Sequence, residues 1–380
     1  MSLKKLWCVK IADSVIKRIP LHPFCWAYDL GVILKGIQYV WEITGDQKYF
    51  DYIKTNMDMF VDPEGYVNSY QPHEYNIDNI NNGKMLLFLF QNTKEEKYLK
   101  SIHQLRQQML RHPRTREGGF WHKHIYPHQM WLDGVYMGSP FLAEYAAVIG
   151  ENGLFDDVAH QVTLMYAKAV DKKTGLLYHG YDESRGMKWA DDLTGCSPHF
   201  WGRAIGWYMA AIVDILEFLP QSHSKRNDII NILKNTIDAL IKVQDQNSGL
   251  WYQVLDMGDR KGNYLETSAS SMYTYAILKG CRRGYLDPSV KKAAEKAFSS
   301  LVNDQVYIDK DGYANLKNTC LVSGLGNNPY RDGSFEYYIS EPVIENDLKG
   351  IGALIQAAAE FEGGEKLLTN IKMVPNSCCS

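Results

Sequence analysis

Asp133 is the first residue of this sequence to raise a chemical question. The segment MWLDGVYMGSPF (130–141) places its carboxyl group between Trp131, Leu132 and a run of apolar and small residues. A carboxylate among aromatic side chains is costly to desolvate unless a partner stabilises it. We therefore consider three roles for Asp133: a helix cap, a catalytic acid, or both.

Polar residues at the start of apolar segments give further candidates. They are Asp29, Asp78, Asp133, Arg203, Glu266 and Asp347. Because Asp is a favoured N-cap residue, we expect Asp29 and Asp347 to cap helices. Asp78 and Asp133 have more aromatic and polar neighbours, and acid–base chemistry on a sugar needs a pair of carboxyl groups in such a cleft.

The segment HFWGRAIGW (199–207) pairs an arginine with a tryptophan. Arg203 and Trp207 are one helical turn apart and therefore share a face. A guanidinium can bind a carboxylate through two parallel hydrogen bonds, and an indole offers a flat apolar face to a sugar ring. The alternative is an internal salt bridge from Arg203 to Asp191, Asp192 or another carboxylate.

Histidines gather in two short segments. His179 lies in LLYHGYD, and His122, His124 and His128 lie in WHKHIYPH. Their spacing fits no common zinc motif, so we expect hydrogen-bonding histidines at a polar cleft and no metal site. The sequence also lacks a GxSxG elbow, a P-loop and a GxGxxG motif after a strand. A serine nucleophile and nucleotide or dinucleotide binding are therefore not indicated.

Composition narrows the class of protein. The chain has 380 residues, 45% of them apolar, and a net charge of −3. It has no basic excess to attract nucleic acid and no apolar run of about 18 residues to cross a membrane. The N-terminal segment lacks the apolar core of a signal peptide, and the seven cysteines are scattered. We therefore expect a cytoplasmic protein with reduced thiols that is a monomer or a weak homo-oligomer.

Six long apolar segments alternate with six amphipathic ones, which indicates paired helices. The apolar segments begin near Trp26, Ile77, Leu132, His199, Tyr264 and Asn346. The amphipathic segments lie near 4–19, 46–60, 97–110, 154–170, 227–243 and 288–303. We predict an all-α fold, a closed toroid of six inner and six outer helices rather than an open solenoid. Residues 1–370 would form this single domain, and 371–380 a polar C-terminal tail.

Glycine-containing turns with aromatic residues precede the apolar segments. They are DPEGYVNSY, GGFWHKH, TGLLYHGYD, SGLWYQVLD and DGYANL, and they predict tight turns into short strands. If each leads into an inner helix, the turns gather at one mouth with the helix N-termini, which favour an anion. Two glycine pairs, Gly134 with Gly138 and Gly202 with Gly206, would let neighbouring backbones approach closely.

Five blocks of the sequence resemble glycoside hydrolase family 105, the unsaturated rhamnogalacturonyl hydrolases. They are GGFWHK (118–123), QMWLDGVYMGSPF (129–141), TGCSPHFWGRAIGWY (194–208), GLWYQVLDMGDR (249–260) and NDLKGIGA (346–353). The resemblance implies an (α/α)6 barrel, an unsaturated galacturonyl-rhamnose disaccharide from pectin as substrate, and no metal or organic cofactor. It also implies an unusual reaction. The C4=C5 double bond of the uronate is hydrated, and the resulting hemiketal opens and releases rhamnose.

The same resemblance implies roles for individual residues. Asp133 would protonate C4 before water adds at C5, and Asp78 would be the second carboxylate of the site. The candidates for substrate binding are His122, His179, Arg203, Trp207, Trp201, Trp131 and Tyr28. One departure is WAYDLG (26–31), where the family has histidines nearby, so Asp29 leaves the identity of the leaving sugar open.

Three alternatives also stay open. An unsaturated glucuronyl hydrolase acting on glycosaminoglycan fragments would share the fold and the chemistry but release a different sugar. An α/α-barrel epimerase would need a pair of basic residues flanking the sugar and would convert saturated sugars. A non-catalytic sugar-binding α/α barrel would bind the disaccharide without turnover.

Overall fold

The computed structural model describes residues 6–21 and 25–367. Within these ranges the chain forms thirteen α-helices, a few short 3-10 or π turns and six strands of two or three residues. The strands form only two-stranded antiparallel pairs, so the predicted all-α class is confirmed. No helix in these ranges is long and apolar enough to span a membrane. The predicted polar tail, 371–380, lies outside the described residues.

Six helices that are buried on almost every side form the inner ring. They are α2 (Tyr28–Thr44), α4 (Gly83–Thr93), α6 (Leu132–Ile149), α8 (Gly202–Phe218), α10 (Thr267–Arg282) and α13 (Leu348–Gly363). Each packs against the next, and α13 packs back against α2. The ring is therefore closed, and the alternative of an open solenoid is wrong.

Six amphipathic helices form the outer ring, with one face buried. They are α1 (Trp7–Arg18), α3 (Gln47–Asp58), α5 (Glu96–Arg111), α7 (Leu154–Ala169), α9 (Arg226–Lys242) and α11 (Lys291–Ser300). The last five each pack on the inner helix that precedes them in the chain, whereas α1 packs on α13 and on α2. This is the paired arrangement that the alternating apolar and amphipathic segments predicted.

Hairpin-like turns lead from the outer helices to the inner helices, as predicted. Their turn glycines all have positive φ, a conformation that favours glycine because it has no Cβ; they are Gly65, Gly118, Gly175, Gly249 and Gly312. The strand pairs are β1 (Gln129–Trp131) with β2 (Gly180–Asp182), β3 (Val306–Ile308) with β4 (Ala314–Leu316), and β5 (Thr319–Cys320) with β6 (Val343–Ile344).

Two local elements differ from the predicted pattern. The second inner helix begins at Gly83, because Ile77–Ile80 forms a separate 3-10 turn capped by the Asn76 side chain, which accepts from the Asp78 backbone N–H at 3.1 Å. Asn and Asp side chains compete with the helix for backbone hydrogen bonds, which explains the late start. An additional short helix, α12 (Phe335–Ser340), lies between β5 and β6.

Glycines permit close packing of the inner ring, and the closest approach of two helix backbones lies away from the predicted pairs. A Cβ at Gly138 or Gly206 would meet side chains, those of Ile77 and Met272, whereas one at Gly202 would lie 3.1 Å from the Tyr252 backbone carbonyl oxygen, as predicted. The close backbone approach lies between α2 and α13, where a Cβ at Gly352 would come within 2.7 Å of the Val32 carbonyl oxygen. The contact that closes the ring therefore depends on the absence of a side chain at Gly352.

Replacing Gly352 by Ala should destabilise the barrel, because the new methyl group must push two backbones apart. We expect the free energy of unfolding to fall by about 1–3 kcal/mol, measured by urea denaturation. The matched control is Gly153→Ala, since a Cβ there meets nothing within 4 Å, and it should change stability by less than about 0.5 kcal/mol. Equal stability of the two variants would contradict this account of ring closure.

Candidate active site

Asp133 lies in the first turn of α6, but it does not cap the helix. The N-cap residue is Trp131, and no side chain caps this end. The reason is that β1 runs directly into the helix, so Asp133 is already the second helical residue, and the Leu132 N–H is satisfied by the His179 carbonyl oxygen at 3.1 Å. The capping role predicted for Asp133 is wrong, and a functional role remains.

His179 lies beside Asp133. Its Nε2 is 3.3 Å from Asp133 Oδ2, although the two groups are not aligned for a hydrogen bond. On the other side of the ring, Nδ1 is hydrogen-bonded to the Tyr338 hydroxyl at 2.9 Å. The imidazole is fully buried between Trp131 and Trp201, with ring centroids 5.3 Å and 4.7 Å away. Trp131 and Asp133 thus lie beside a histidine from the linker between α7 and α8.

Asp78 carries its charge in a buried ion pair. Its Oδ2 lies 2.6 Å from Lys123 Nζ, and its Oδ1 lies 3.6 Å from His122 Nε2. Burial alone would raise the pKa of Asp78, but attraction to Lys123 and His122 and the hydrogen bond from Lys123 outweigh it, so the pKa is lowered. Asp78 is therefore a carboxylate at neutral pH.

His122 is a neutral imidazole at neutral pH. Burial lowers its pKa to about 4, even though Asp78 acts in the opposite direction. The ring stacks on Trp131 at a centroid distance of 4.3 Å, and Tyr126 stacks on the same indole at 4.9 Å. Its Nδ1 has no hydrogen-bond partner among the described residues. One ring nitrogen of His122 is therefore buried without a partner within the described ranges.

Backbone pairing brings the two carboxyl groups together. The His122 backbone N–H donates to the Gln129 carbonyl oxygen at 2.8 Å, and the Ile77 N–H donates to the His122 carbonyl oxygen at 3.2 Å. The WHK segment thus lies between the turn that carries Asp78 and the strand that leads to Asp133. Gly134 makes room for this arrangement, because a Cβ there would lie 3.2 Å from His122 Nδ1.

Arg203 is buried without a carboxylate partner in contact. Its Nη1 donates to the Cys320 carbonyl oxygen at 2.5 Å and to Ser268 Oγ at 3.3 Å, and its Nη2 donates to the Leu321 carbonyl oxygen at 3.2 Å. Its Nε has no hydrogen-bond partner among the described residues. The alternative role for Arg203, an internal salt bridge to Asp191, Asp192 or another carboxylate, is therefore wrong for the described residues.

Short-range turn geometry explains why those aspartates are unavailable to Arg203. Asp191 accepts hydrogen bonds from the backbone N–H groups of Leu193 and Thr194 and is exposed. Asp192 is exposed in the same turn. The last residue of β5, Cys320, and the residue after it, Leu321, instead supply the carbonyl partners of the guanidinium. A charged side chain can be buried when its donors are satisfied in this way.

The predicted aromatic residues surround these polar groups. Trp131, Trp201 and Trp207 are buried, whereas Tyr28 is half-buried. Trp207 packs on Tyr136 at a centroid distance of 4.6 Å and edge-on to Tyr28 at 6.3 Å. Of this group, Tyr28 retains the most exposed ring surface for contact with a sugar.

Of the remaining acidic residues predicted at helix starts, Asp347 and Glu266 cap their helices and Asp29 does not. Asp347 caps α13 by accepting from the Lys349 N–H at 3.0 Å, as predicted. Glu266 caps α10 by accepting from the Ala269 N–H at 2.6 Å. Asp29 is not a cap, because the N-cap of α2 is Ala27 and Asp29 accepts only from the next N–H, that of Leu30.

The other two histidines of WHKHIYPH lie against aromatic rings. The His124 ring is 6.1 Å from that of Tyr75, and the His128 ring is 4.8 Å from that of Trp121. In the part of the chain that the structure describes, no three His, Cys, Asp or Glu side chains are grouped as metal ligands would be.

Sequence reasoning missed two residues that contact these groups. Lys123 pairs with Asp78, and its position beside His122 in the WHK block was the available signal. Tyr338 contacts His179 from 159 residues further along the chain. No local pattern could have indicated that contact.

Beneath the aromatic residues, Lys84 is buried without a hydrogen-bond partner in the described structure. Its Nζ lies 3.9 Å from the centroid of the Tyr136 ring. Tyr136 follows Asp133 by three residues and therefore lies on the same face of α6. Burial lowers the pKa of Lys84 to about 7, although the charges of Asp214 and Glu144 oppose this. Tyr136, which packs on Trp207, therefore contacts a lysine that loses its charge near neutral pH.

Replacing Lys123 by Met should raise the pKa of Asp78, because burial would no longer be opposed by the ammonium group. Carboxyl-carbon NMR during a pH titration measures this shift directly. Lys188→Met, at an exposed position, is the control and should leave Asp78 unchanged. An unchanged Asp78 titration in Lys123→Met would contradict the ion pair.

Lys84 should make stability depend on pH. The lysine titrates near 10.5 when unfolded and near 7 when folded, so the unfolded chain binds more protons between these values. The free energy of unfolding should therefore rise with pH across this window, and that gain is lost as pH falls through 7. Lys84→Met should stabilise the protein at pH 7 by at most about 5 kcal/mol.

Urea denaturation at several pH values tests this expectation. Lys84→Met should show a shallower rise between pH 7 and pH 10 than the wild type. Lys172→Met, at an exposed position, should follow the wild type. Parallel pH profiles for the wild type and Lys84→Met would contradict the prediction.

Comparison with known proteins places this geometry in a family. The model described as Glycosyl Hydrolase Family 88 matches residues 7–363. The solved structure of a glycoside hydrolase from family 105 of C. acetobutylicum ATCC 824 is 50% identical, with a TM-score of 0.93 over 94% of this chain and 99% of that chain.

Two more distant relatives carry named activities. The unsaturated rhamnogalacturonyl hydrolase YesR of Bacillus subtilis is 28% identical over 274 residues, which is 70% of this chain and 74% of YesR. The unsaturated glucuronyl hydrolase of Bacillus sp. GL1, responsible for the degradation of glycosaminoglycan, is 14% identical, with a TM-score of 0.67 over 94% of this chain and 95% of that chain. The second likeness concerns the fold alone.

Proposed function

The chain belongs to Glycosyl Hydrolase Family 88, and from this premise we propose that it is an unsaturated rhamnogalacturonyl hydrolase. The resemblance of its sequence blocks to family 105 is confirmed by the 50% identical structure. The similarity to YesR supports galacturonyl-rhamnose as the substrate. The observation that carries the proposal is a pair of neighbouring buried carboxyl groups of which only one, Asp78, has a cationic partner.

The two carboxyl groups take different roles in the proposed reaction. Asp78 is held ionised by Lys123, so it cannot be the proton donor and instead accepts hydrogen bonds from substrate hydroxyl groups. Among the described residues, no Lys or Arg side chain pairs with Asp133, whose ionisable neighbour is His179. Its Oδ2 is turned toward His179, and the rest of its side chain, 12% exposed, opens to the mouth. Asp133 is therefore the acid.

The proposed reaction adds water across the double bond. Asp133 donates its proton to C4, water adds its hydroxyl group at C5, and the second proton of that water returns to Asp133. The product is a hemiketal at C5, whose ring opens to a C5 ketone and leaves a hemiacetal at C1. This hemiacetal collapses to an aldehyde and releases rhamnose with its glycosidic oxygen. His122 and Arg203, which the family resemblance implies as substrate-binding residues, would orient the uronate carboxylate.

The leaving sugar is the point on which the alternatives differ. C4 and C5 are planar in the double bond, so unsaturated ends derived from galacturonate and glucuronate are the same chemical group. An unsaturated glucuronyl hydrolase would therefore use the same acid and differ only in the neighbouring sugar. The glucuronyl hydrolase of Bacillus sp. GL1 resembles this chain in fold alone, whereas YesR is similar in sequence. Rhamnose therefore has the stronger support as the leaving sugar.

Loss of ultraviolet absorbance from the conjugated double bond tests the proposal. Wild-type protein mixed with unsaturated galacturonyl-rhamnose should remove the absorbance. Asp133→Asn should keep the fold and lower kcat by at least about 10³-fold, because an amide cannot donate the proton. Asp156→Asn, at an exposed position on α7, should behave as the wild type.

Each of the other outcomes would contradict one part of the proposal: the acid, the substrate or the catalytic activity. Near-normal turnover by Asp133→Asn would contradict the assignment of the acid. Turnover of an unsaturated glucuronyl disaccharide but not of galacturonyl-rhamnose would replace the proposed substrate with the alternative. Binding of both disaccharides without loss of absorbance would support a non-catalytic sugar-binding barrel instead.

A further inference from the structure

The Tyr338 hydroxyl connects α12 to the imidazole beside Asp133. It lies 2.9 Å from His179 Nδ1, and both side chains are fully buried. Helix α12 is the additional helix between β5 and β6, outside the two rings of the barrel. A residue from the last linker therefore contacts the histidine supplied by the linker before α8.

Several contacts hold Tyr338 in place. Its ring stacks on Trp201 at a centroid distance of 6.1 Å and an interplanar angle of 15°. The Gln253 side-chain amide donates to the Tyr338 carbonyl oxygen at 3.0 Å and accepts from Trp201 Nε1 at 3.1 Å. The direction of the Tyr338 hydroxyl is thus fixed by residues from two other linkers, those before α8 and α10.

Hydrogen-bond accounting decides which group is the donor. Among the described residues, His179 Nδ1 is the one hydrogen-bond partner of the Tyr338 hydroxyl. If Nδ1 carried the proton and donated it, the buried phenolic O–H would have no acceptor, which costs about 1–3 kcal/mol. If the phenol donates to Nδ1, the phenol and Nδ1 are both satisfied, and the remaining donor, Nε2–H, faces an acceptor, Asp133 Oδ2, at 3.3 Å. The second arrangement is favoured.

This arrangement has a consequence for Asp133. A neutral imidazole that accepts at Nδ1 carries its proton on Nε2. That N–H faces Asp133 Oδ2 across 3.3 Å, and a small rotation of the carboxyl group would align the two. An N–H at Oδ2 disfavours a proton on that oxygen. The transferable proton then lies on Oδ1, which belongs to the exposed part of the side chain.

We propose that Tyr338 is a positioning residue: its hydroxyl holds neutral His179 as the Nε2–H tautomer, which places the transferable proton of Asp133 on the oxygen that faces the substrate. The proposal rests on the proposed function for its consequence in turnover. The tautomer itself can be measured without turnover.

Nitrogen NMR of labelled histidine in the full-length protein tests the tautomer. Wild-type His179 should show an unprotonated Nδ1 and a protonated Nε2 at neutral pH, with His179→Gln used to assign its signals. Tyr338→Phe keeps the ring and removes the hydroxyl, so the His179 signals should shift toward a mixture of tautomers. The control, Tyr337→Phe, removes another hydroxyl from α12, one that is hydrogen-bonded to Gly324 and Glu341. It should leave the His179 signals unchanged.

Steady-state kinetics test the consequence. Tyr338→Phe should lower kcat about 10–100-fold, as expected for loss of a residue that orients a catalytic group, while KM changes less than about twofold. Tyr337→Phe should retain the wild-type kcat. A merely structural role for Tyr338 would lower thermal stability without changing the His179 tautomer.

Three results would overturn the proposal. They are an Nδ1–H tautomer in the wild type, an unchanged tautomer in Tyr338→Phe, and an unchanged kcat in that variant. Absence of turnover by the wild type on any unsaturated disaccharide would instead overturn the proposed function. In that case the NMR result would still decide whether Tyr338 sets the tautomer of His179.

Discussion

Burial of two carboxyl groups at one mouth of the barrel is the constraint on which the site depends. A buried charge needs a partner, and Asp78 has Lys123 at 2.6 Å. Asp133 has only a histidine in contact and keeps one oxygen without a hydrogen bond. Their surroundings therefore differ: Lys123 holds Asp78 as a carboxylate, whereas Asp133 faces an imidazole, and the proposed division into hydrogen-bond acceptor and proton donor rests on this difference.

The linkers supply most of these surroundings, and the closed ring gathers them. His122 and Lys123 come from the linker before α6, His179 from the one before α8, and Tyr338 from the one before α13. Each linker crosses the same mouth because each joins an outer helix to the start of an inner helix. Close contact of α2 with α13 at Gly352 completes the ring and so fixes where all the linkers meet.

Periodicity predicted the two rings because helix burial follows local sequence. Capping was less predictable: Asp347 caps its helix, but Asp133 does not, because pairing of β1 with β2 determines where α6 begins. Contacts between distant linkers left no local pattern, as for Tyr338 and for the carbonyl partners of Arg203. The buried Lys84 was also unexpected, since an apolar helix pattern does not indicate an unpaired charge.

Hydration of the double bond, with Asp133 as the proton donor, is the central claim. The most direct test follows two signals in one sample of wild-type protein and unsaturated galacturonyl-rhamnose: the absorbance of the double bond and the concentration of free rhamnose. Hydration consumes the double bond in releasing the sugar, so each mole of rhamnose should accompany the loss of one mole of double bond. Release of rhamnose with the absorbance retained would mean attack at the anomeric carbon and would contradict the account.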